Sequence, residues 1–126
     1  MTKDIGIRAR CENHEMIRGI LREQHANYKG LYHHIDTYNY DNKKRITINN
    51  RRKKFLLDNL IFHLDKIKGL GNFIEIIFID SNGQSKEERE KILKQRRYYM
   101  HLFEIKKEDL ITDSYCNLFK KFVDKN

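Results

Sequence analysis

The sequence predicts a single α+β domain with about five strands and flanking helices. Segments in which polar and apolar residues alternate recur along the first two thirds of the chain, which is typical of strands with one buried face. Glycine-containing turns interrupt them, and apolar residues at helical spacing dominate the last third. No linker or repeat divides the 126 residues, which suffice for one modest core.

The first two predicted elements are a strand and a helix. Residues 4–10 alternate with period two, so Asp4, Arg8 and Arg10 share one face. Residues 12–25 then follow the helical period, with Asn13 as a plausible N-cap. A polar strand face here fits a solvated surface or the wall of a polar cavity.

Four further strands are predicted at residues 31–40, 43–49, 55–65 and 73–80. The basic run at residues 51–54 fits either a solvated hairpin tip or a phosphate-binding segment. A turn through Gly69 and Gly71 joins the last two strands. Ser85 and Glu88 form a capping box that predicts a helix start, and apolar residues from Tyr115 to Phe122 predict a last short helix.

The amino-acid composition indicates which kinds of binding partner and which cellular compartment to expect. The chain has 26 Lys plus Arg against 18 Asp plus Glu, a formal charge of +8, which favours anionic partners such as nucleotides or nucleic acid. Cys11 and Cys116 fit no disulfide framework or metal spacing and indicate free thiols. No run is long enough to span a membrane and the N-terminus lacks a signal-peptide pattern, so we expect a cytoplasmic protein without a membrane partner.

Charged residues at same-facing strand positions indicate a polar site. Carboxylates there would hold a divalent cation, and guanidinium groups would clamp phosphate oxygens. No nucleophile motif or glycine-rich phosphate loop accompanies them. The residues that could line one concave surface are Asp4, Arg8, Arg45, His63, Asp65 and Glu75.

Residues 58–75, DNLIFHLDKIKGLGNFIE, resemble the core R-I-H-L-D-x-V-x-G-L-G-x-F-x-E-x-E of the CYTH proteins. These are the class IV adenylyl cyclases and thiamine triphosphatases, also called triphosphate tunnel enzymes. The flanks agree in order: residues 4–10 resemble the family's E-x-E-x-K strand, and residues 34–38 resemble its Q-x-D-T-Y-F segment. Residues 45–49 are similar to its R-L-K-L-R strand, and residues 114–116 to a closing segment of the cyclase-like branch.

The resemblance implies an antiparallel triphosphate tunnel, of which this chain would keep about five strands. It implies Mg²⁺ or Mn²⁺ as cofactor, with Asp4, Asp65 and Glu75 as metal-site residues. It also implies a triphosphate-containing small molecule as partner. The phosphate contacts carried over are Arg8, Arg45 and His63, with either Arg51 or Arg52 in the place of the family's basic K-x-R strand.

The sequence also departs from the family pattern. Gly6 and Ile77 replace two wall glutamates and Ile61 replaces an arginine, so the expected catalysis is severely weakened. The single domain, residues 1–126, is shortened between about residues 41 and 51, where the family has further strands. Three explanations compete: a degenerate member, an incomplete translation, or a sheet completed by a homodimer through its open edges. The replacements at Gly6 and Ile77 argue against an incomplete translation, because a missing segment cannot change residues outside it.

The predicted function is therefore a CYTH-like domain that binds organic or inorganic triphosphates with a divalent metal. If it is active, it would be a Mg- or Mn-dependent triphosphatase or a class IV adenylyl cyclase-like enzyme. The alternative is a non-enzymatic basic module for nucleic acid, favoured by the net charge, the basic run at residues 51–54 and the seven tyrosines.

Overall fold

A computed structural model describes residues 6–41, 44–79 and 85–124 of the chain. It is an α+β fold with one antiparallel sheet of five strands and three helices, as predicted. The sheet order is β1-β5-β4-β3-β2. Its strands are β1 (Ile7–Arg10), β2 (Asn27–Asp41), β3 (Lys44–Leu57), β4 (Leu60–Ile67) and β5 (Gly71–Phe78), and its helices are α1 (His14–Glu23), α2 (Lys86–Leu102) and α3 (Tyr115–Asp124).

Strand β3 corrects two sequence-based predictions. Residues 55–65 do not form one strand, because a turn at Asp58 and Asn59 ends β3 and begins β4. Asp58 has φ 52°, a left-handed conformation that Asp and Asn adopt more readily than other non-glycine residues. The basic run at residues 51–54 is not a hairpin tip, since it lies inside β3 and pairs with β4.

Both predicted helix starts are confirmed by their capping contacts. The Asn13 side chain accepts a hydrogen bond from the Met16 backbone N–H at 3.1 Å and caps α1. The Ser85 hydroxyl accepts from the Glu88 N–H at 3.2 Å and caps α2. Each contact satisfies one backbone donor that a helix N-terminus leaves unpaired.

Different helices pack on the two faces of the sheet. On the back face, Ile17 and Leu21 of α1 and Ile92 of α2 pack into the main core. On the front face, Leu118 and Phe119 of α3 pack over a smaller apolar cluster. Strand residues in the main core include Ile7, Ala9, Phe55, Phe62, Leu64, Ile74 and Ile76, and those in the smaller cluster are Ile46, Ile48, Ile67 and Phe73.

The predicted glycine turn sets the register between β4 and β5. Gly69 and Gly71 have φ of +80° and +126°, which side-chain-bearing residues rarely adopt. Ile67, the last residue of β4, then pairs with Gly71, and each earlier residue of β4 receives a fixed partner on β5. His63 is thereby placed opposite Glu75.

Strand β2 lies at one edge of the sheet and, within the described ranges, pairs only with β3. Leu31 and Ile35 on this edge strand are 55% and 60% exposed. A homodimer through this edge stays a prediction. No helix in the described part of the chain is long and apolar enough to cross a membrane.

Candidate functional site

The register of four strands brings charged side chains together on the front face. Arg8 of β1 pairs with Glu75, which pairs with His63 of β4. Arg52 of β3 pairs with Asp65, two residues from His63. Cross-strand partners point to the same face of a sheet. We call the resulting group the front cluster: Arg8, Arg52, His63, Asp65 and Glu75, with Tyr115 of α3.

Asp65 is the anchor of the front cluster. Its side chain is fully buried, and both of its oxygens accept hydrogen bonds from Arg52, from Nε at 2.7 Å and from Nη2 at 2.8 Å. The Tyr115 hydroxyl donates to Asp65 Oδ2 at 2.7 Å. A buried carboxylate is tolerated only when it is paired in this way, so the planar guanidinium fork fits the position better than a lysine would.

Glu75 joins the two arginines. It accepts from Arg8 Nη2 at 2.6 Å through Oε2, and it contacts His63 Nδ1 at 2.8 Å through Oε1. Arg52 Nη2 lies 3.7 Å from the same Oε1. Arg8 also donates to the Asp113 carbonyl at 3.0 Å, and its Cζ lies 4.7 Å from the centre of the Tyr115 ring.

The pKa shifts follow from this pairing. Burial alone would raise the pKa of Glu75, but the hydrogen bonds from His63 and Arg8 and the charges of Arg8 and Arg52 lower it to about 2. Burial alone would lower the pKa of Arg52, yet the hydrogen bond and charge of Asp65 leave it raised. Burial, with the nearby Asp65 carboxylate, raises the pKa of Tyr115, so its hydroxyl stays protonated and donating.

A pocket of about 330 Å³ opens beside the front cluster. Arg8 and Arg52 form part of its wall, together with other residues of β2 and β3 and the start of α3. The buried Arg8 Nε and Asn50 Oδ1 make no hydrogen bond to the described residues. The lining residues are Arg8, His34, Asp36, Tyr38, Ile48, Asn50, Arg52, Ser114, Tyr115 and Cys116.

The two cysteines are free, as predicted. Cys11 is buried, and burial raises the pKa of its thiol to about 11, which makes it a poor nucleophile at neutral pH. Cys116 is half-buried and lines the pocket. Cys116 can therefore report on a ligand in the pocket, and Cys11 can serve as an unreactive reference outside it.

Five of the sequence-predicted site residues lie together: Arg8, Arg52, His63, Asp65 and Glu75. Arg45 and Arg51 are exposed and lie on the back face, because they alternate with Arg52 along β3. The structure does not bring these two to the cluster, so their phosphate contacts stay a prediction. Asp4 lies outside the described residues.

Sequence reasoning assigned no site role to several residues that the structure places here. Tyr115 was interpreted only as core of the last helix, although residues 114–116 belong to the CYTH resemblance. His34, Asp36 and Tyr38 likewise lie in a segment with family resemblance. Asn50 carried no sequence signal, because only the β2–β3 register places it opposite His34.

The described residues do not fit a resident divalent cation. Every oxygen of Asp65 and Glu75 already lies within 2.8 Å of an arginine, histidine or tyrosine donor atom. A metal would have to displace a guanidinium group, and no group of three His, Cys, Asp or Glu suited to a metal occurs among the described residues. Because Asp4 is outside them, the predicted Mg²⁺ or Mn²⁺ site stays a prediction.

No protein-family model matches the chain, and no curated protein matches its sequence. Solved structures do resemble it. The PH1012 protein of Pyrococcus horikoshii has a TM-score of 0.68 at 17% identity, over 90% of this chain and 97% of that one. A conserved hypothetical protein of Pyrococcus furiosus has a TM-score of 0.65 at 13% identity, over 90% of this chain and 98% of that one. A proposed adenylate cyclase of Vibrio parahaemolyticus has a TM-score of 0.66 at 11% identity, over 90% of this chain and 95% of that one. At these identities, the three likenesses show the fold alone.

Proposed function

We propose that this domain binds the phosphate chain of an organic or inorganic triphosphate in the front-face pocket. The observation that carries the proposal is that Arg8 and Arg52 line one pocket and are held there by carboxylates, Arg52 by the fully buried Asp65 and Arg8 by the partly buried Glu75. The CYTH resemblance of residues 58–75 and the fold likeness to a proposed adenylate cyclase support the same ligand class.

The carboxylates act as positioning groups in this proposal. Asp65 fixes Arg52 through two parallel hydrogen bonds, and Glu75 fixes Arg8, so neither guanidinium has to be ordered when ligand enters. The guanidinium groups of Arg8 and Arg52 are charged donors in the wall of the pocket. Phosphate oxygens accept such charge-assisted bonds well.

The described residues support binding of the ligand without a resident divalent cation. The arginines would neutralise ligand charge that a divalent cation neutralises in the family's sites. Because Gly6 and Ile77 stand where family members have acidic residues, we expect no appreciable triphosphate hydrolysis or adenylyl cyclisation. The Mg²⁺- or Mn²⁺-dependent form is the competing version, and the ligand titration below separates the two.

The test is a thermal-shift titration with tripolyphosphate, ATP and thiamine triphosphate, in EDTA and in Mg²⁺. A ligand that binds only the folded state raises the melting temperature, by about 10 °C at a hundredfold excess over Kd for a chain of this size. We expect tripolyphosphate to raise it in EDTA at least as much as in Mg²⁺. A shift seen only with Mg²⁺ would favour the metal-dependent form, and no shift with any ligand would refute the binding proposal.

Neighbouring arginines of β3 provide the matched variants. Arg52→Lys keeps the charge beside Asp65 but loses the two-pronged geometry, so it should remove at least half of the ligand-induced shift. Arg51→Gln, on the opposite face, should keep the full shift. The reverse pattern would place the ligand on the back face, as the sequence-based assignment of Arg51 allows.

A further inference from the structure

A second concave surface lies on the back face, between α1 and the paired ends of β2 and β3. It is a groove of about 640 Å³, which we call the rear groove. The sheet separates it from the front cluster, since Lys53 and Phe55 alternate with Arg52 and Lys54 along β3. Its lining residues are Arg18, Arg22, His25, Ala26, Asn27, Tyr28, Lys53 and Phe55.

The rear groove has a surplus of positive charge. Arg18 and Arg22 lie four residues apart on one side of α1, and Lys53 faces them from β3. None of the three forms an ion pair with the described residues, in contrast to the arginines of the front cluster. Burial lowers the pKa of Lys53, and the charges of Arg18 and Lys66 lower it further. Such unneutralised, mutually repelling cations favour a bound anion.

An aromatic ring stands at the wall of this groove. The Tyr28 side chain is 50% exposed and lies against Phe55, which is 8% exposed, with 5.0 Å between the ring centroids. The buried Phe55 therefore holds the exposed Tyr28 ring in place. A fixed, exposed ring beside cations offers a stacking surface for an unpaired base.

The positive surface continues beyond the groove along the back face. Arg51 and Arg45 are exposed on this face of β3, and Lys66 of β4 lies opposite Arg51. The span from Arg45 to Lys53 is about 26 Å at about 3.3 Å per residue. No acidic side chain described for this face of β2 or β3 interrupts it; β2 contributes Tyr28, Leu31, His33, Ile35, Thr37 and Asn39 here.

We propose that the back face binds single-stranded nucleic acid, with phosphates on the rear-groove cations and one base stacked on Tyr28. A linear track of cations suits a chain of phosphates better than a single small anion. The exposed ring suits an unpaired base better than a duplex, whose bases are already stacked. This site is independent of the triphosphate pocket, so either proposal can fail without the other.

The test is fluorescence anisotropy of a labelled single strand of about 12 nucleotides, between about 50 and 200 mM salt. Three phosphate contacts at about −0.7 each predict a slope near −2 for log affinity against log salt. Tyr28→Ala should weaken binding about tenfold with an unchanged slope, and Tyr28→Phe should bind like the original protein. Equal affinity for a duplex, with no effect of Tyr28→Ala, would overturn the proposal.

Adjacent lysines of β3 give the control for a general charge effect. Lys53→Gln should weaken binding several-fold and make the slope about 0.7 shallower, whereas Lys54→Gln, on the front face, should change neither. Melting temperatures within a few degrees of the original would show that both variants fold. Equal losses from the two substitutions would overturn the assignment to the back face.

Discussion

Replacing Arg52 by Met is expected to lower the free energy of unfolding by about 3–5 kcal/mol. The substitution leaves the fully buried Asp65 carboxylate with the Tyr115 hydroxyl as its remaining partner in the front cluster. An unpaired buried charge costs far more than the loss of a surface pair. Urea unfolding at pH 7, followed by far-ultraviolet circular dichroism, measures the change.

Arg51→Met is the control for this prediction. Arg51 is exposed on the other face and should cost no more than about 0.5 kcal/mol. The double variant Arg52→Met/Asp65→Leu removes both charges and should recover most of the loss, because the penalty comes from the orphaned carboxylate. Equal effects of Arg51→Met and Arg52→Met would contradict the assigned role of the buried pair.

Glu75 should give the protein a pH-dependent stability that Glu75→Gln removes. The pKa of Glu75 is lowered from 4.5 to about 2 in the folded state, so the folded protein holds the ionised form more strongly than the unfolded chain does. Its contribution is complete above about pH 4.5 and is lost as the pH falls towards 2. The shift corresponds to at most about 3 kcal/mol at pH 7.

The check is the difference in unfolding free energy between the original protein and Glu75→Gln as a function of pH. That difference should be largest at pH 7 and should shrink between pH 4.5 and 2. Glu90→Gln, an exposed position on α2, serves as the matched control. A difference that stays constant over this range would show that Glu75 does not carry the pH dependence.

Within β4, alternation predicted which residues share a face although the strand bounds were wrong. It could not do so across the missed turn, where Leu56 of β3 pairs with Ile61 and lies on the front face. Residues 55–65 were predicted as one strand, yet His63 and Asp65 still share the front face, and Phe62 and Leu64 the back. The face that a side chain takes depends only on its position relative to its neighbours in the same strand. An error in where the strand begins or ends therefore leaves it unchanged. The turn at Asp58 was missed because an apolar run continues on both sides and no glycine marks it.

The way in which neighbouring strands pair could not be predicted from the alternation within each strand. Arg45 was expected to face the site, but the face of β3 that meets Asp65 is the one carrying Arg52. That relation depends on the pairing register, which the alternation of one strand does not contain. The groove beside Tyr28 depends on the packing of α1 against β3, so neither element alone indicated it.

The most direct test of triphosphate binding in the front pocket is the alkylation rate of Cys116 in EDTA, with and without tripolyphosphate. Cys116 lines the pocket, while the buried Cys11, whose pKa is raised to about 11, should stay unmodified and serve as the reference in the same mass spectrum. The account predicts that tripolyphosphate slows modification of Cys116 several-fold and saturably without metal. An unchanged rate at ligand concentrations that raise the melting temperature would contradict it, because the ligand would then bind elsewhere.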